Sequence, residues 1–314
     1  MAVALGLVGN GVVGGRIARR ISLLDPEARV STLDTRLGRV DPAQHDVVVL
    51  AHPGPHADLA ADLVAGGTAV VSCAGDLADI RQMWDLDDVA RDLDVPLVAG
   101  AAQSPGLTDL LARHLADQME ECDEIHLAVH GTAGPACARE HHRALSGYSI
   151  ALLDGDLVNR RSGSGRELCW FPEPVGAYDC YRAELASPVL LSTVFPHVRR
   201  LTGRQSANRR DRLTARLPML TPPHAEGGVG AVRVEVRGTD ADGARVTIVG
   251  GAAELVGTSA AATACAFALA AANGDLPSGV LCAADERIDT RALLTAVQRL
   301  GVRLQEFTGT PSSA

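Results

Sequence analysis

The stretch Gly9-Asn10-Gly11-Val12-Val13-Gly14 constrains this chain more than any other. It follows an apolar run, Ala2–Val8, and leads into a helical stretch through Ile21. At a strand-to-helix turn, the first Gly of such a Gly-x-Gly-x-x-Gly permits a tight bend. The second admits a close approach to the backbone, and the third lets the helix pack on the strand. The helix N-terminus behind it presents unpaired N–H groups and the positive end of the peptide dipole, a setting suited to phosphate. Gly-rich turns are common, so the context carries the weight. Arg29–Leu33 reads as a second strand, and Asp34 closes it about 20 residues beyond Gly14, where an acid that binds a ribose hydroxyl is expected. Gly9, Asn10, Gly11, Val12, Val13, Gly14 and Asp34 therefore read as a dinucleotide site. Asp34 favours NAD(H), because a carboxylate repels a 2′-phosphate. Arg36 and Arg39 beside it keep NADP(H) open.

The rest of the first 120 residues alternates strand and helix. Strands are expected at Asp46–Ala51, Thr68–Ser72 and Pro96–Ala99, with helices at His56–Ala65, at Ile80–Leu93 and from Pro105 to Glu121. Near-continuous Val and Leu in the strands predict a doubly wound parallel sheet covered on both faces. The pattern changes after Cys122. Glu124–His130 reads as a strand with polar residues interleaved, followed by Gly- and Pro-rich connections. Val232, Val234 and Val236 alternate with Arg233, Glu235 and Arg237, and Arg245–Val249 returns after a turn, which predicts an antiparallel hairpin with one wet face. Helices are expected at Leu255–Ala272 and Arg291–Leu300, and a frayed tail at Thr308–Ala314. The expected fold is α/β: a Rossmann domain (1–122), then a smaller α+β domain for substrate binding and dimerisation (123–252). Terminal helices (253–314) are expected to pack back on the first domain.

Composition removes whole reaction classes. All 29 basic residues are arginine, so no side-chain amine can form a Schiff base, serve a phosphate loop or act as general base. Rossmann enzymes built on a Tyr-x-x-x-Lys pair, a Glu-Lys-Pro element or a catalytic Lys are excluded with it. Proton chemistry near neutral pH falls to the 10 His, the 7 Cys or shifted carboxylates. A net charge of −9 and an aromatic content of 3% argue against nucleic acid, and no apolar run reaches the ~20 residues a membrane span needs. The Cys count is odd and lacks a CxxC pair, so neither a disulfide framework nor a structural metal site is expected. The expected compartment is a reducing cytoplasm.

Three further runs follow the fingerprint: His52-Pro53-Gly54-Pro55, then Val70-Val71-Ser72-Cys73-Ala74-Gly75-Asp76, then Gly100-Ala101-Ala102-Gln103-Ser104-Pro105-Gly106-Leu107. Together they resemble the saccharopine dehydrogenase-like family of saccharopine reductases and carboxynorspermidine dehydrogenases, whose nucleotide domain ends in a similar Gly-Ala-Gly…Pro-Gly-Leu segment. Gly279-Val280 and Leu294–Gly301 are similar to that family's ending. The resemblance implies a Rossmann domain plus an α+β domain that binds substrate and dimerises. It further implies NAD(P)-linked reduction of an imine to a secondary amine, or the reverse. Ser104 stands where members often carry an acid, and the chain is shorter than the larger members.

In doubly wound folds ligands sit at the carboxyl ends of the strands. This adds His52, Pro53, Cys73 and Ala101 to the cofactor set, with Gln103 as a substrate contact and Ser104 as a catalytic group beside the nicotinamide; a small buried hydrophobe is the commoner reading of Cys73. The run His130–Arg143 is the most unusual of the second half. A strand end, a Gly/Pro turn and a helix start carry His141 and His142 between Arg139 and Arg143. One of the histidines is expected to donate the proton, and one of the arginines to grip a carboxylate; Tyr178 is a further substrate contact. Arg199, Arg200, Arg204, Arg209, Arg210, Arg212 and Arg216 form a positive band open to substrate carboxylates, cofactor phosphates or an acidic partner. The expectation is an NAD(P)-dependent oxidoreductase acting at a C=N or C=O bond of a small carboxylate-bearing amino compound, without a metal and as a homodimer. The alternative is a non-catalytic NAD(P) sensor or pathway scaffold.

Overall fold

The computed structural model describes residues 2–33, 40–219 and 222–309. Asp34, Arg36 and Arg39 lie outside the described residues. The chain forms two compact units, Met1–Leu107 with Gly257–Val302, and Thr108–Val256 with Arg303–Ala314. The division falls one residue into the helix that opens at Leu107.

The first unit runs β1 (Ala4–Val8), α1 (Val12–Leu24), β2 (Arg29–Leu33), β3 (Val47–Leu50), α2 (Ala57–Ala65), β4 (Ala69–Ser72), α3 (Leu77–Trp84), α4 (Asp87–Asp92) and β5 (Pro96–Ala99). Every residue of β3 and β4 is buried, as strands covered on both faces require. Helix α1 buries Gly14, Ile17 and Ile21, one face of a 3.6-residue period. Where one helix was expected over Ile80–Leu93 there are two. Asp76 caps the first by accepting from the N–H groups of Ala78 and Asp79. Asp87, at the start of the second, turns aside to accept the Val280 N–H at 2.8 Å.

The second unit follows with α5 (Leu107–Ala116), β6 (Glu121–His130), α6 (Pro135–Arg143), β7 (Tyr148–Leu153), β8 (Asp156–Arg161), β9 (Glu167–Phe171), β10 (Gly176–Arg182), α7 (Ser187–Val194), β11 (Arg200–Ser206), α8 (Arg209–Thr214), β12 (Val229–Thr239) and β13 (Arg245–Leu255). The chain then returns to the first unit as α9 (Val256–Ala272), β14 (Gly279–Leu281) and α10 (Thr290–Arg299), and closes the second with β15 (Leu304–Gly309). Helix α5 stops at Ala116, short of the expected Glu121, because Glu121 already pairs with Thr239 in the sheet. The segment expected to fray is in part a strand: Thr308 and Gly309 pair with Ile248 and Thr247.

The first sheet has the order β14-β5-β4-β3-β1-β2 and is parallel throughout. From β1 the chain winds outward to β2 on one side and to β3, β4 and β5 on the other, which makes β1/β3 the switch point. The second sheet is mixed, with the path β15-β13-β12-β6-β11-β10-β9, β7 attached to β11 and β8 to β7, and among the described strands only β6 and β11 pair in parallel. Val232, Val234 and Val236 are fully buried as predicted. The opposite face of β12 is not simply wet. Glu235 is 9% exposed between Arg233 and Arg237, at 2.5 and 2.6 Å. Burial opposes its charge, but the two guanidiniums outweigh it and hold the carboxyl below its usual range. Among the described residues no helix is long and apolar enough to cross a membrane.

Candidate functional site

The carboxyl edge of the first sheet is built as a staircase of main-chain bonds. The Ala51 N–H reaches Val8 O at 2.8 Å, Cys73 N–H reaches Leu50 O at 3.0 Å, and Ala101 N–H reaches Ser72 O at 2.7 Å. Each strand exit is thereby pinned to its neighbour. The glycine loop, His52, Pro53, Cys73 and Ala101 come together along one edge, beginning at the switch point.

The three fingerprint glycines have different surroundings. Gly9 has φ +103°, and a Cβ there would stand 2.6 Å from the His52 nitrogen. A Cβ on Gly14 would lie 1.9 Å from Gly9 O, so this position sets the approach of α1 to the loop. Gly11 is the N-cap of α1, is exposed, has no side-chain cap, and a Cβ there would meet nothing within 4 Å. The first N–H groups of a helix have no partner within it, and here no side chain among the described residues caps them. That is the cradle a dinucleotide pyrophosphate needs, and the residues present fit it. Asn10 is exposed at its rim, with Val12 and Val13 half-buried in the first turn.

His52 is half-buried, with its ring 4.4 Å from that of His56. Burial first, and the neighbouring imidazole second, depress its pKa to about 4 against the partial opposition of Asp79 and the Pro55 carbonyl. His56 is held as one tautomer. Its Nε2–H donates to His52 O at 2.9 Å, and its Nδ1 takes the Ser72 hydroxyl at 2.8 Å. Burial lowers its pKa too. Asp79 accepts the His56 and Ala57 N–H groups, each at 2.9 Å, and so caps α2. His56, Ser72 and Asp79 are the supports that sequence reasoning missed; the His-Pro-Gly-Pro-His spacing was the available signal.

Cys73 is half-buried with its thiol 3.7 Å from Ala101 O, and burial pushes its pKa up to about 12. It stays protonated and is no nucleophile. Gln103 is 7% exposed and its amide donates to Ser259 Oγ at 3.1 Å, tying the Gly100–Gly106 loop to α9. That loop closes on itself: Ala102 N–H bonds Pro105 O and Leu107 N–H bonds Ala102 O. Ser104 lies half-buried within it.

The remaining sequence candidates belong to the second unit. His141 and His142 do not sit at the start of α6 but in its last turn, with Arg143. This overturns the expected helix-N-terminal carboxylate site: a helix C-terminus presents carbonyl oxygens and favours cations. His141 Nε2–H donates to Ser206 O at 3.2 Å and His142 Nε2–H to Thr214 O at 3.0 Å, so both rings brace α6 against β11 and α8. Burial lowers the pKa of His141. Arg139 and Arg143 are exposed.

A different histidine meets Tyr178. His130, at the end of β6, has its ring 4.1 Å from Tyr178 and 5.9 Å from Phe171, and its Nδ1 shares a 2.8 Å hydrogen bond with the Ser206 hydroxyl. Burial lowers its pKa. Tyr178 itself is 43% exposed. The arginine band is not one surface. Arg199 faces Asp154 at 4.0 Å and Arg204 binds Glu167 at 2.7 Å, while Arg209, Arg210 and Arg212 ride on α8.

No family model matches the sequence, and no curated protein does. Among solved structures the chain is similar to apo saccharopine dehydrogenase (L-Glu forming) from Saccharomyces cerevisiae, at 13% identity over 98% of this chain and 100% of that one, with a TM-score of 0.69. It is also similar to a meso-dapdh mutant with DAP from Clostridium tetani, at 12% identity over 93% of this chain and 96% of that one, with a TM-score of 0.53. At such identities the likeness is one of fold: this chain is folded as saccharopine dehydrogenase is, a Rossmann-like parallel sheet followed by a mixed sheet.

Proposed function

We propose that the chain is an NAD(P)-dependent oxidoreductase that transfers a hydride at a C=N or C=O bond of a small, carboxylate-bearing amino compound. The observation that carries this is the open space over Gly11 at the β1/β3 switch point, where no side chain among the described residues caps the α1 N–H groups. The nicotinamide dinucleotide, when bound, supplies or accepts the hydride.

The chain's own residues divide the remaining work. Gly11 and the first turn of α1 receive the pyrophosphate, with Asn10 at the rim. His52, Pro53, Cys73 and Ala101 line the edge, and Gln103 and Ser104 continue it. A neutral His52 and a protonated Cys73 keep that edge uncharged, which suits transfer of hydride. His130 is the proton donor of the second unit: Ser206 fixes its Nδ1 and leaves Nε2 for a substrate heteroatom. His141 and His142 brace this group from behind. Tyr178, beside His130, contacts the substrate, and Arg139 and Arg143 serve its carboxylate from the exposed side of α6. Asp34 selects NAD(H) over NADP(H). Two copies pair through the second unit.

Calorimetric titration with NADH and with NADPH tests the proposal, repeated with amines and 2-keto acids present. NADH is expected to bind more tightly, and hydride transfer to appear with a matching keto acid–amine pair. Failure of both dinucleotides to bind would sink it; binding without turnover of any pair would favour a sensor.

A further inference from the structure

The second unit holds a cavity of about 500 Å³ whose walls carry Arg161, Arg209, Arg212 and Arg216 together with Ser146 and Ser162, and no carboxylate. In a chain of net charge −9, four arginines lining one hollow without a carboxylate is a local reversal of sign. Like charges so placed repel one another, and an anion between them relieves that repulsion.

Arg212 is fixed in position. Its guanidinium lies 4.0 Å above the Tyr181 ring and its Nε–H donates to Gly163 O at 2.8 Å. Held by that edge, it keeps its paired terminal nitrogens for an acceptor, the fork that matches carboxylate and phosphate geometry. Among the described residues Arg161, Arg209 and Arg216 have no ion-pair partner, unlike Arg199 and Arg204 of the same band. Ser162 adds an independent sign. It is 4% exposed, and its hydroxyl is buried without a hydrogen-bond partner. Buried hydroxyls are ordinarily satisfied, so an unsatisfied one in the wall of a positive cavity marks a place where a ligand or water completes the structure.

We propose that this cavity binds a small, multiply charged oxyanion, as a second ligand in addition to the dinucleotide. The volume lies in the ordinary range for small-molecule sites, and the walls offer charge-assisted donors and hydroxyls in place of an apolar lining. A phosphate ester and a polycarboxylate share this chemistry, so the test uses one probe of each kind.

The full chain is titrated calorimetrically with inorganic pyrophosphate and, separately, with citrate, in about 150 mM NaCl so that diffuse surface attraction is screened. One of the two is expected to bind saturably at one site per chain, and the tighter of them names the class. The double variant Arg209→Ala/Arg216→Ala, both exposed positions, is expected to weaken that binding at least about ten-fold, as loss of charge-assisted hydrogen bonds does. Ser162→Ala is expected to weaken it several-fold with Tm unchanged. Gly11→Val, which blocks the dinucleotide cradle, is expected to leave it intact, so failure of the dinucleotide proposal and failure of this one are told apart. No binding of either probe, binding unaffected by the arginine pair, or binding lost in Gly11→Val would each overturn the proposal.

Discussion

Gly9 and His52 meet so closely that a methyl group on the glycine would lie 2.6 Å from the His52 backbone nitrogen. The first strand's exit and the third strand's exit are thus locked together at the switch point, and the crevice between them has its width set by a residue without a side chain. The imidazole that follows is placed at the mouth by that contact.

The three glycines of the loop should separate stability from binding. Gly14→Ala drives a Cβ to 1.9 Å from Gly9 O, a backbone atom that cannot give way, and is expected to cost ~3 kcal/mol in urea unfolding. Gly11→Ala meets nothing in the protein and changes only an N-cap preference, so it should cost under ~1 kcal/mol. It should nonetheless weaken NADH binding by an order of magnitude or more, because the methyl occupies the space the pyrophosphate requires. Equal affinity in Gly11→Ala and wild type would show that the space above Gly11 holds no phosphate.

His52 makes the fold sensitive to acid. Its pKa drops from 6.5 in the unfolded chain to about 4 in the native state. As pH falls below 6.5 the unfolded chain binds a proton that the native state refuses, so stability declines between those values and levels off beneath them. The loss expected from this group is on the order of 2 kcal/mol. Denaturant unfolding at pH 7 and pH 4.5 checks it: His52→Asn should lose less than wild type over that interval. Ring-proton NMR should show His52 titrating with a midpoint near pH 4.

The first sheet was legible because its strands are buried on both faces. Val47–Leu50 and Ala69–Ser72 read as strands without any partner being known, and the loop ahead of α1 carries its glycines at fixed spacing. Most of the second sheet was not. Strands β8 (Asp156–Arg161) and β9 (Glu167–Phe171) are short and leave Leu157, Leu168 and Trp170 exposed, so apolar residues there do not mark a buried face. The proposed proton donor was hidden for a topological reason. His130 and Ser206 are 76 positions apart and meet only because β6 and β11 pair in parallel. Adjacent His141 and His142 attracted notice instead, and main-chain carbonyls claim them both.

The histidines of the second unit can be ranked by kinetics. Replacing His130 with Gln should lower the single-turnover rate of hydride transfer by about 10²–10⁴, the usual cost of losing a general acid. His141→Ala and His142→Ala should each cost ~1 kcal/mol of stability through the lost brace and keep the chemical rate within a few-fold. The opposite pattern would return the proton to α6.

Cys73 should be inert despite its place on the edge. With its pKa pushed up to about 12, only about one molecule in ten thousand carries a thiolate at pH 8, so alkylation by iodoacetamide should be far slower than for a free cysteine. Rapid modification of Cys73, mapped by mass spectrometry, would contradict that protonation state.

The order in which the chain visits its two units has a consequence for synthesis. Strand β14 and helices α9 and α10 belong to the first unit yet emerge after β13, whereas β15 alone is left for the second. A growing polypeptide thus has nearly all of the second sheet available while the parallel sheet still lacks an edge and a covering helix. The first unit, begun first, is the one finished late, and a nascent chain halted near Val256 would expose the surface that α9 covers.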